Sequence, residues 1–216
     1  SKPRVHSLQM STSWACRCLL LAVGCAMGFE INFDLKAAFE QRYASKLSSI
    51  NALYPESGAA GLEARMATSR KDGYWAYVAR KEEPPLEFTY GEWDMMTFTS
   101  VIERAIELSG IDDCSQHTFI DLGSGAGRLV LWAAATGGWK AARGVELLPG
   151  LHNTACAALD EARASHPSFL NAETDVEFLQ GSWDDPLPCL LEANFVFCTT
   201  TCLPADENNV LLGMTG

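Results

Sequence analysis

The sequence predicts an α/β fold in which the strands of a parallel sheet alternate with helices, behind a helical N-terminal region. Three observations support this prediction. Apolar strand-like segments alternate with helical segments from residue 117 onwards, the first of these strands enters a glycine-rich loop, and the preceding residues have helical periodicity. Strands separated by helices of this length indicate right-handed crossovers between parallel neighbours.

Residues 34–85 are predicted to form a helical N-terminal region that ends in a linker. Apolar side chains recur at three- and four-residue spacing over residues 34–53, with Asp34 as a candidate N-cap, and a second helix is expected over residues 59–69. The polar run 70–73 is predicted to break that second helix.

The remaining residues, 86–216, are predicted to form one cofactor-binding domain with four strands. A helix that ends at Gly110 precedes the sheet. The strands are expected at residues 117–122, 141–147, 176–179 and 194–199, the intervening helices at 128–136 and 151–165, and a further helix at 206–214.

Residues 1–33 allow two interpretations. Arg17, the apolar run 18–29 and the small residues Ala26 and Gly28 resemble a secretory signal. The alternative is a buried N-terminal helix or an arbitrary start. The apolar run is too short to span a bilayer, so no transmembrane helix is predicted.

Charge is unevenly distributed along the chain. The 216 residues carry a net charge of −11, yet residues 1–83 hold 11 Lys/Arg against 8 Asp/Glu, and residues 84–216 hold 5 against 19. An acidic body repels a phosphate backbone, so we expect it not to bind nucleic acid directly and to suit a basic protein substrate better.

The eight cysteines show no disulfide framework and no Cys-x-x-Cys pair with downstream ligands. Several lie in apolar stretches, where reduced cysteine behaves as a small hydrophobe. We therefore predict no metal site and favour a reducing compartment.

The segment Phe119-Ile120-Asp121-Leu122-Gly123-Ser124-Gly125-Ala126-Gly127 combines a strand, an acidic strand end and a glycine loop. Glycine allows a sharp turn and lets a ligand lie against the backbone. Glu146 follows at the end of the next strand, where a carboxylate can accept both hydroxyls of a ribose. The two signals together predict a nucleoside-containing cofactor.

The spacing favours S-adenosyl-L-methionine over a dinucleotide. A dinucleotide fingerprint is G-x-G-x-x-G, with a helix N-terminus open to pyrophosphate. Here the pattern is G-x-G-x-G, and the carboxylate of Asp121 would repel pyrophosphate but attract an ammonium group.

Tyr90-Gly91-Glu92, the glycine loop and Gly144-Val145-Glu146 together resemble the non-SET histone lysine methyltransferases of the disruptor-of-telomeric-silencing type. The resemblance covers residues 86–203. It implies a Rossmann-like sheet of seven strands, S-adenosyl-L-methionine as cofactor, a histone in a nucleosome as substrate and a nuclear location.

The resemblance also implies roles for individual residues. Tyr90, Gly91 and Glu92 would lie on a loop folding over the cofactor, with Tyr90 as a candidate catalytic residue and Glu92 as a cofactor-binding residue. Ser182 and Trp183 would border the adenine. The methionine end and the ribose would be held by the glycine loop and the two acids, namely Asp121, Gly123, Ser124, Gly125, Gly127 and Glu146.

Two departures from the family pattern leave alternatives open. The family carries an acid beside the adenine, where this chain has Ser182, with Asp184 and Asp185 nearby. It carries asparagines beside the methyl group, where this chain has Thr199, the candidate catalytic residue there. A methyltransferase for another protein or a small molecule, and a non-catalytic binding module, therefore remain as alternatives.

The resemblance further implies three strands after the fourth. We therefore expect the sequence to be incomplete at its C-terminus, with Phe195–Phe197 on an exposed edge strand. If residues 10–28 are a signal, the location would be secretory or organellar instead of nuclear.

Overall fold

The computed structural model describes residues 19–22, 33–84, 90–182, 185 and 193–199. Its described strands are β1 (Leu19–Ala22), β2 (Thr118–Leu122), β3 (Ala141–Glu146), β4 (Asp175–Gln180) and β5 (Phe195–Cys198). Its described α-helices are α1 (Phe33–Leu53), α2 (Leu62–Ser69), α3 (Ala76–Ala79), α4 (Met95–Ser109), α5 (Arg128–Thr136) and α6 (Pro149–Ser165).

The strands form one parallel sheet in the order β1-β5-β2-β3-β4. Helix α5 connects β2 to β3, and α6 connects β3 to β4, which confirms the predicted α/β alternation. The chain places β3 and β4 on one side of β2 and β5 on the other. A topological switch point therefore lies at the carboxyl ends of β2 and β5, the place where such sheets bind ligands.

The position of β1 corrects one expectation. Leu19–Ala22 pair in parallel with Phe195–Cys198, so β5 lies between β1 and β2 and is not an edge strand. The apolar run near the N-terminus supplies a strand here, in place of the helix considered for it. Pairing satisfies the backbone groups of β5 that an edge would leave free.

The N-terminal helices pack into the same hydrophobic core as the sheet. Ile50 and Tyr54, at the end of α1, are buried with Phe98 of α4 and Trp132 of α5. Helix α1 is kinked at Tyr43 and begins at Phe33, so Asp34 lies within its first turn and is not its N-cap. Asp94 caps α4 instead, accepting a hydrogen bond from the Thr97 amide at 3.0 Å.

Residues 70–73 do not break the second helix as predicted. The backbone continues from α2 through a π-helical turn, Arg70–Trp75, directly into α3. The turn brings Asp72 to the start of α6, where its carboxylate accepts a hydrogen bond from the Gly150 amide at 2.8 Å. An acceptor at a helix N-terminus satisfies an otherwise unpaired amide. The N-terminal region thus reaches the edge of the sheet where β3 ends.

None of the described helices combines the length and the apolar character that crossing a membrane requires.

Candidate cofactor-binding site

The glycine loop turns the chain sharply from β2 into α5. The amides of Gly123 and Ser124 both donate to the Val145 carbonyl, at 2.9 and 3.0 Å, so the loop is fastened to the end of β3. Gly125 has a φ of 56°, a left-handed conformation that favours glycine. The loop therefore lies across the carboxyl ends of β2 and β3, where Gly123 is exposed and residues 124–127 are buried.

Asp121 lies next to the last residue of β2, and its carboxyl group is buried. Its residue is 3% exposed, and none of the residues that the structure describes donates a hydrogen bond to its side chain. Burying a carboxylate without a partner is costly. The arrangement is suited to a cationic group supplied by a ligand.

Glu146 ends the neighbouring strand β3 and is 8% exposed. Its Oε2 accepts from the Gly125 amide at 2.7 Å, and its Oε1 accepts from the Leu148 amide at 2.8 Å. A carboxylate can accept about four hydrogen bonds in all, so Glu146 keeps acceptor capacity beyond its bonds to the backbone. Glu146 can hold the glycine loop and still receive the hydroxyls of a ribose.

Glu146 makes the ionisation of Asp121 more costly. Burial, and then the nearby Glu146, raises the pKa of Asp121 to about 8. Burial also raises the pKa of Glu146, although backbone hydrogen bonds oppose that rise. At neutral pH Asp121 is therefore mostly protonated, and a cation at this place would release its proton.

Tyr90 covers the glycine loop. A Cβ atom built on Gly125 would lie 2.7 Å from Cε2 of the Tyr90 ring, so the ring rests where a side chain would otherwise stand. The Tyr90 hydroxyl donates to Glu92 Oε1 at 2.6 Å. The structure thus brings Tyr90 onto the predicted cofactor loop and holds Glu92 next to it.

Glu92 is not a solvated charge. Its side chain is 10% exposed and is paired with Arg65, whose side chain is 3% exposed. Arg65 Nε donates to Oε1 at 2.6 Å, and Arg65 Nη2 donates to Oε2 at 3.0 Å. Burial alone would raise the pKa of Glu92, but hydrogen bonds from Arg65 and Tyr90 outweigh it and hold that pKa below its usual value. Both oxygens are thereby committed to the protein.

Arg65 is the site residue that the sequence interpretation missed. A signal was present: helical spacing places Arg65 on one face of α2 with Leu62, Met66 and Ser69. An arginine within such a face is expected to have a buried partner, because an unpaired buried charge is strongly destabilising.

Arg128 connects the start of α5 to residues 92 and 93. Its Nη1 donates to the Trp93 carbonyl at 2.9 Å and lies 3.7 Å from Glu92 Oε2. The Trp93 indole Nε1 in turn donates to Thr199 Oγ1 at 3.1 Å, and its ring packs edge-on against Phe197. Residues 90–94 are thus tied to both β5 and α5.

Thr199 lies directly after β5 and is exposed. Its neighbour Cys198 is buried, and burial, followed by the charge of Asp121, raises the pKa of that thiol to about 12. A neutral thiol is a poor nucleophile. Of the two polar side chains, the Thr199 hydroxyl is the one available to a substrate.

Three residues of the glycine loop, Gly127, Ser124 and Gly123, differ in the space and the polar partners around them. A Cβ atom at Gly127 would meet the Phe178 ring and Ala155, so glycine is required there for close packing of α5. Ser124 Oγ is buried and has no hydrogen-bond partner among the described residues. Gly123 has open space where a side chain would stand.

The predicted adenine border is described in part. Ser182 follows β4, and its amide donates to Asp185 Oδ2 at 2.7 Å. Trp183 and Asp184 lie outside the described residues. Leu147, directly after Glu146, is 45% exposed and adds an apolar surface at this edge that the sequence interpretation did not include.

A family model described as "Histone methylation protein DOT1" matches residues 80–188, half of the chain. The chain belongs to this family. The match includes Tyr90 to Glu92, the glycine loop and both acids, so the resemblance inferred from those residues is confirmed. No curated protein sequence matches the chain significantly.

Solved structures show weaker likenesses. An RNA methyltransferase from Salinibacter ruber, in complex with S-adenosyl-L-homocysteine, is 30% identical, with 53% of this chain and 65% of that chain covered and a TM-score of 0.37. The N-terminal domain of human METTL16, with the same ligand, is 15% identical, with 73% and 63% covered and a TM-score of 0.37. The YcgJ protein from Bacillus subtilis is 20% identical, with 38% and 31% covered and a TM-score of 0.28.

This chain therefore spans less than two thirds of each of these three structures. The TM-scores are low, so the fold assignment rests on the strand order and connections described above. That sheet has the Rossmann-like topology of S-adenosyl-L-methionine-dependent methyltransferases. S-adenosyl-L-methionine is the cofactor of such proteins, and an unpaired buried carboxylate, a second acid and a glycine loop fit it.

Proposed function

We propose that this chain is the cofactor-binding part of a histone-lysine N-methyltransferase. The observation that carries the proposal is the buried carboxylate of Asp121, which accepts no hydrogen bond from the described residues and lies beside Glu146 at the switch point of the sheet. A site that leaves a carboxylate buried and unpaired is built for a cationic ligand. Membership of a histone methylation family supports the class of substrate.

The acids and the loop divide the binding of the cofactor between them. Asp121 attracts the ammonium group of the methionine end, and the remaining acceptor positions of Glu146 receive the ribose hydroxyls. Leu147 offers an apolar surface to the adenine, next to Ser182. Tyr90 covers the loop at Gly125 and keeps water away from the methionine end.

Bound S-adenosyl-L-methionine supplies an activated methyl group, so the protein has mainly to align the acceptor and to exclude water. A lysine acceptor must lose its proton first, from a reference pKa of about 10.4, and a desolvating channel lowers that pKa. Trp93, which packs on the buried ring of Phe197, provides an apolar surface beside the end of β5. The Thr199 hydroxyl, which accepts from Trp93, keeps its own proton free to donate to a polar group of the acceptor.

Charge supports a basic substrate. Residues 84–216 hold 19 acidic against 5 basic side chains, which attracts a lysine-rich histone segment and disfavours direct contact with DNA. The natural partner on this proposal is a histone in a nucleosome, and the location is the nucleus.

One observation favours a different acceptor on the same fold. Thr199 stands where the resemblance places asparagine, so a hydroxyl replaces a carboxamide beside the reacting groups. A methyltransferase for a non-histone protein or a small molecule is therefore the second candidate function.

A methyl-transfer assay with the full-length protein distinguishes these functions. The protein is incubated with radiolabelled S-adenosyl-L-methionine and, separately, with nucleosomes, free histones or a cell lysate, beside an Asp121→Asn variant. Label on a histone lysine that depends on Asp121 supports the proposal. Label only on other proteins or small molecules supports the second candidate, and tight cofactor binding without any transfer indicates a non-catalytic module.

A further inference from the structure

Arg65 lies behind the cofactor loop and contacts two groups that hold it. Its guanidinium makes a two-bond pair with Glu92, and its Nη1 donates to the carbonyls of Pro55 and Ala60 at 3.1 and 2.6 Å. The side chain is 3% exposed, so these hydrogen bonds are shielded from water. Two parallel bonds to a carboxylate fix orientation as well as distance.

The first connection to the loop runs through Glu92. Arg65 fixes the carboxylate, Glu92 Oε1 accepts from the Tyr90 hydroxyl at 2.6 Å, and the Tyr90 ring rests against Gly125. Without Arg65, Glu92 would be a buried charge with much weaker compensation, and it would move towards water. The Tyr90 ring would then lose the partner that holds it over Gly125.

The second connection runs through Tyr54. The Arg65 guanidinium lies 5.6 Å from the centre of the Tyr54 ring, and the Tyr54 hydroxyl donates to the Ala126 carbonyl at 2.7 Å. Tyr54 is 1% exposed, so this bond is buried. Both connections end on adjacent residues, Gly125 and Ala126.

We propose that Arg65 is a positioning residue that sets the conformation of the cofactor loop from the N-terminal helical region. It acts through the Glu92–Tyr90 pair and through Tyr54, and it touches neither the cofactor nor the substrate. Arg65 lies before residue 80, where the family match begins, so this positioning residue belongs to the helical region outside the matched segment. This inference rests on the proposed function only for the identity of the ligand that the loop binds.

The test uses hydrogen exchange on the ligand-free protein and calorimetric titration with S-adenosyl-L-homocysteine. Arg65→Lys keeps the charge but loses the two-bond geometry, so it is the main variant, with Arg65→Met as the stronger change. Arg42→Lys is the matched control, because Arg42 pairs with Glu103 at 3.1 Å on an exposed surface.

In Arg65→Lys we expect faster exchange at residues 90–94 and 123–127, with β3 and β4 unchanged. We also expect Arg65→Lys to lower the affinity for S-adenosyl-L-homocysteine about tenfold. When Arg65→Lys is combined with Glu92→Gln, the total loss of affinity should be smaller than the product of the two single losses, because the two residues are in contact and act through the same connection. Tyr54→Phe should increase exchange at residues 123–127 but not at 90–94.

Unchanged exchange in Arg65→Lys, or equal acceleration throughout the chain, would overturn the proposal, since the second result marks a general loss of stability. If Arg65→Met fails to fold, Arg65→Lys still decides. If the wild-type protein binds no S-adenosyl-L-homocysteine, the proposed function is wrong, whereas the exchange result still decides the role of Arg65.

Discussion

The Oε2 atom of Glu146 accepts a hydrogen bond from the backbone amide of Gly125 at 2.7 Å. The acid that ends β3 therefore fixes the loop that follows β2, in addition to the ribose-binding role proposed for it. One carboxylate can perform both tasks because its oxygens accept more than one hydrogen bond each. On this proposal, loop conformation and ribose binding are coupled through a single side chain.

Replacing Glu146 with Ala should weaken S-adenosyl-L-homocysteine binding by about 1.5–3 kcal/mol, the range of a hydrogen bond to a charged group. Exchange of the Gly125 amide should become faster at the same time. Calorimetric titration and hydrogen exchange measure the two effects. Glu177→Ala is the control, because Glu177 lies on β4 with an exposed side chain that pairs with Arg143. Equal affinity in wild type and Glu146→Ala would refute the ribose assignment.

Replacing Asp121 with Asn should stabilise the ligand-free protein at pH 8. The folded chain keeps a proton on Asp121 up to a pKa of about 8, whereas the unfolded chain releases it near 3.8, so folding takes up a proton and stability falls as the pH rises between these values. Asn carries no such cost. The shift of about four pKa units, at about 1.4 kcal/mol per unit, corresponds to about 5–6 kcal/mol, and because the Asn amide must also be buried we expect a net gain of a few kcal/mol at pH 8.

Urea unfolding at pH 8 and at pH 4 measures this difference. The advantage of Asp121→Asn should shrink towards pH 4, because the unfolded wild type also begins to take up the proton as the pH approaches 3.8. A variant that is equally destabilised at both pH values would show that Asp121 has a packing role instead.

Replacing Thr199 with Val should separate methyl transfer from cofactor binding. The variant loses the hydroxyl that accepts from Trp93, so we expect transfer to fall about three- to tenfold, the effect of one hydrogen bond. Affinity for S-adenosyl-L-homocysteine should stay within about twofold. Thr136→Val, at the far end of α5, is the control. A parallel loss of affinity would place Thr199 in the cofactor site.

Exchange at residues 90–94 should slow when S-adenosyl-L-homocysteine is added. The ring of Tyr90 already rests on Gly125, and a ligand beneath this segment would hold it more firmly. Mass spectrometry of the exchanged protein resolves the segment. Protection at residues 123–127 without any at 90–94 would exclude a covering role for Tyr90.

The sequence predicted the sheet and the acidic pair well because their signals are local. The glycine loop and both acids lie within 26 residues, from Asp121 to Glu146, and the strands β2 to β4 were placed with small errors at their ends. A strand that ends in an acid and enters a glycine turn has few other structural solutions.

Contacts between distant segments could not be read in the same way. Arg65 and Glu92 are 27 residues apart, and Trp93 and Thr199 are 106 apart. Helical spacing indicates that Arg65 is buried, but nothing in the sequence around these residues identifies their partners. The strand β1 was missed because a short apolar run fits a strand, a buried helix or a leader equally well.

Proton release on cofactor binding tests most directly the claim that Asp121 and Glu146 form the cofactor site. Wild type and Asp121→Asn are titrated with S-adenosyl-L-homocysteine at pH 7, in buffers of different ionisation enthalpy. Because the pKa of free Asp121 is about 8 and a bound ammonium lowers it, the wild type should release about one proton per ligand. Asp121→Asn should bind weakly without release. Binding of equal strength in both proteins, with no proton released by either, would contradict the account.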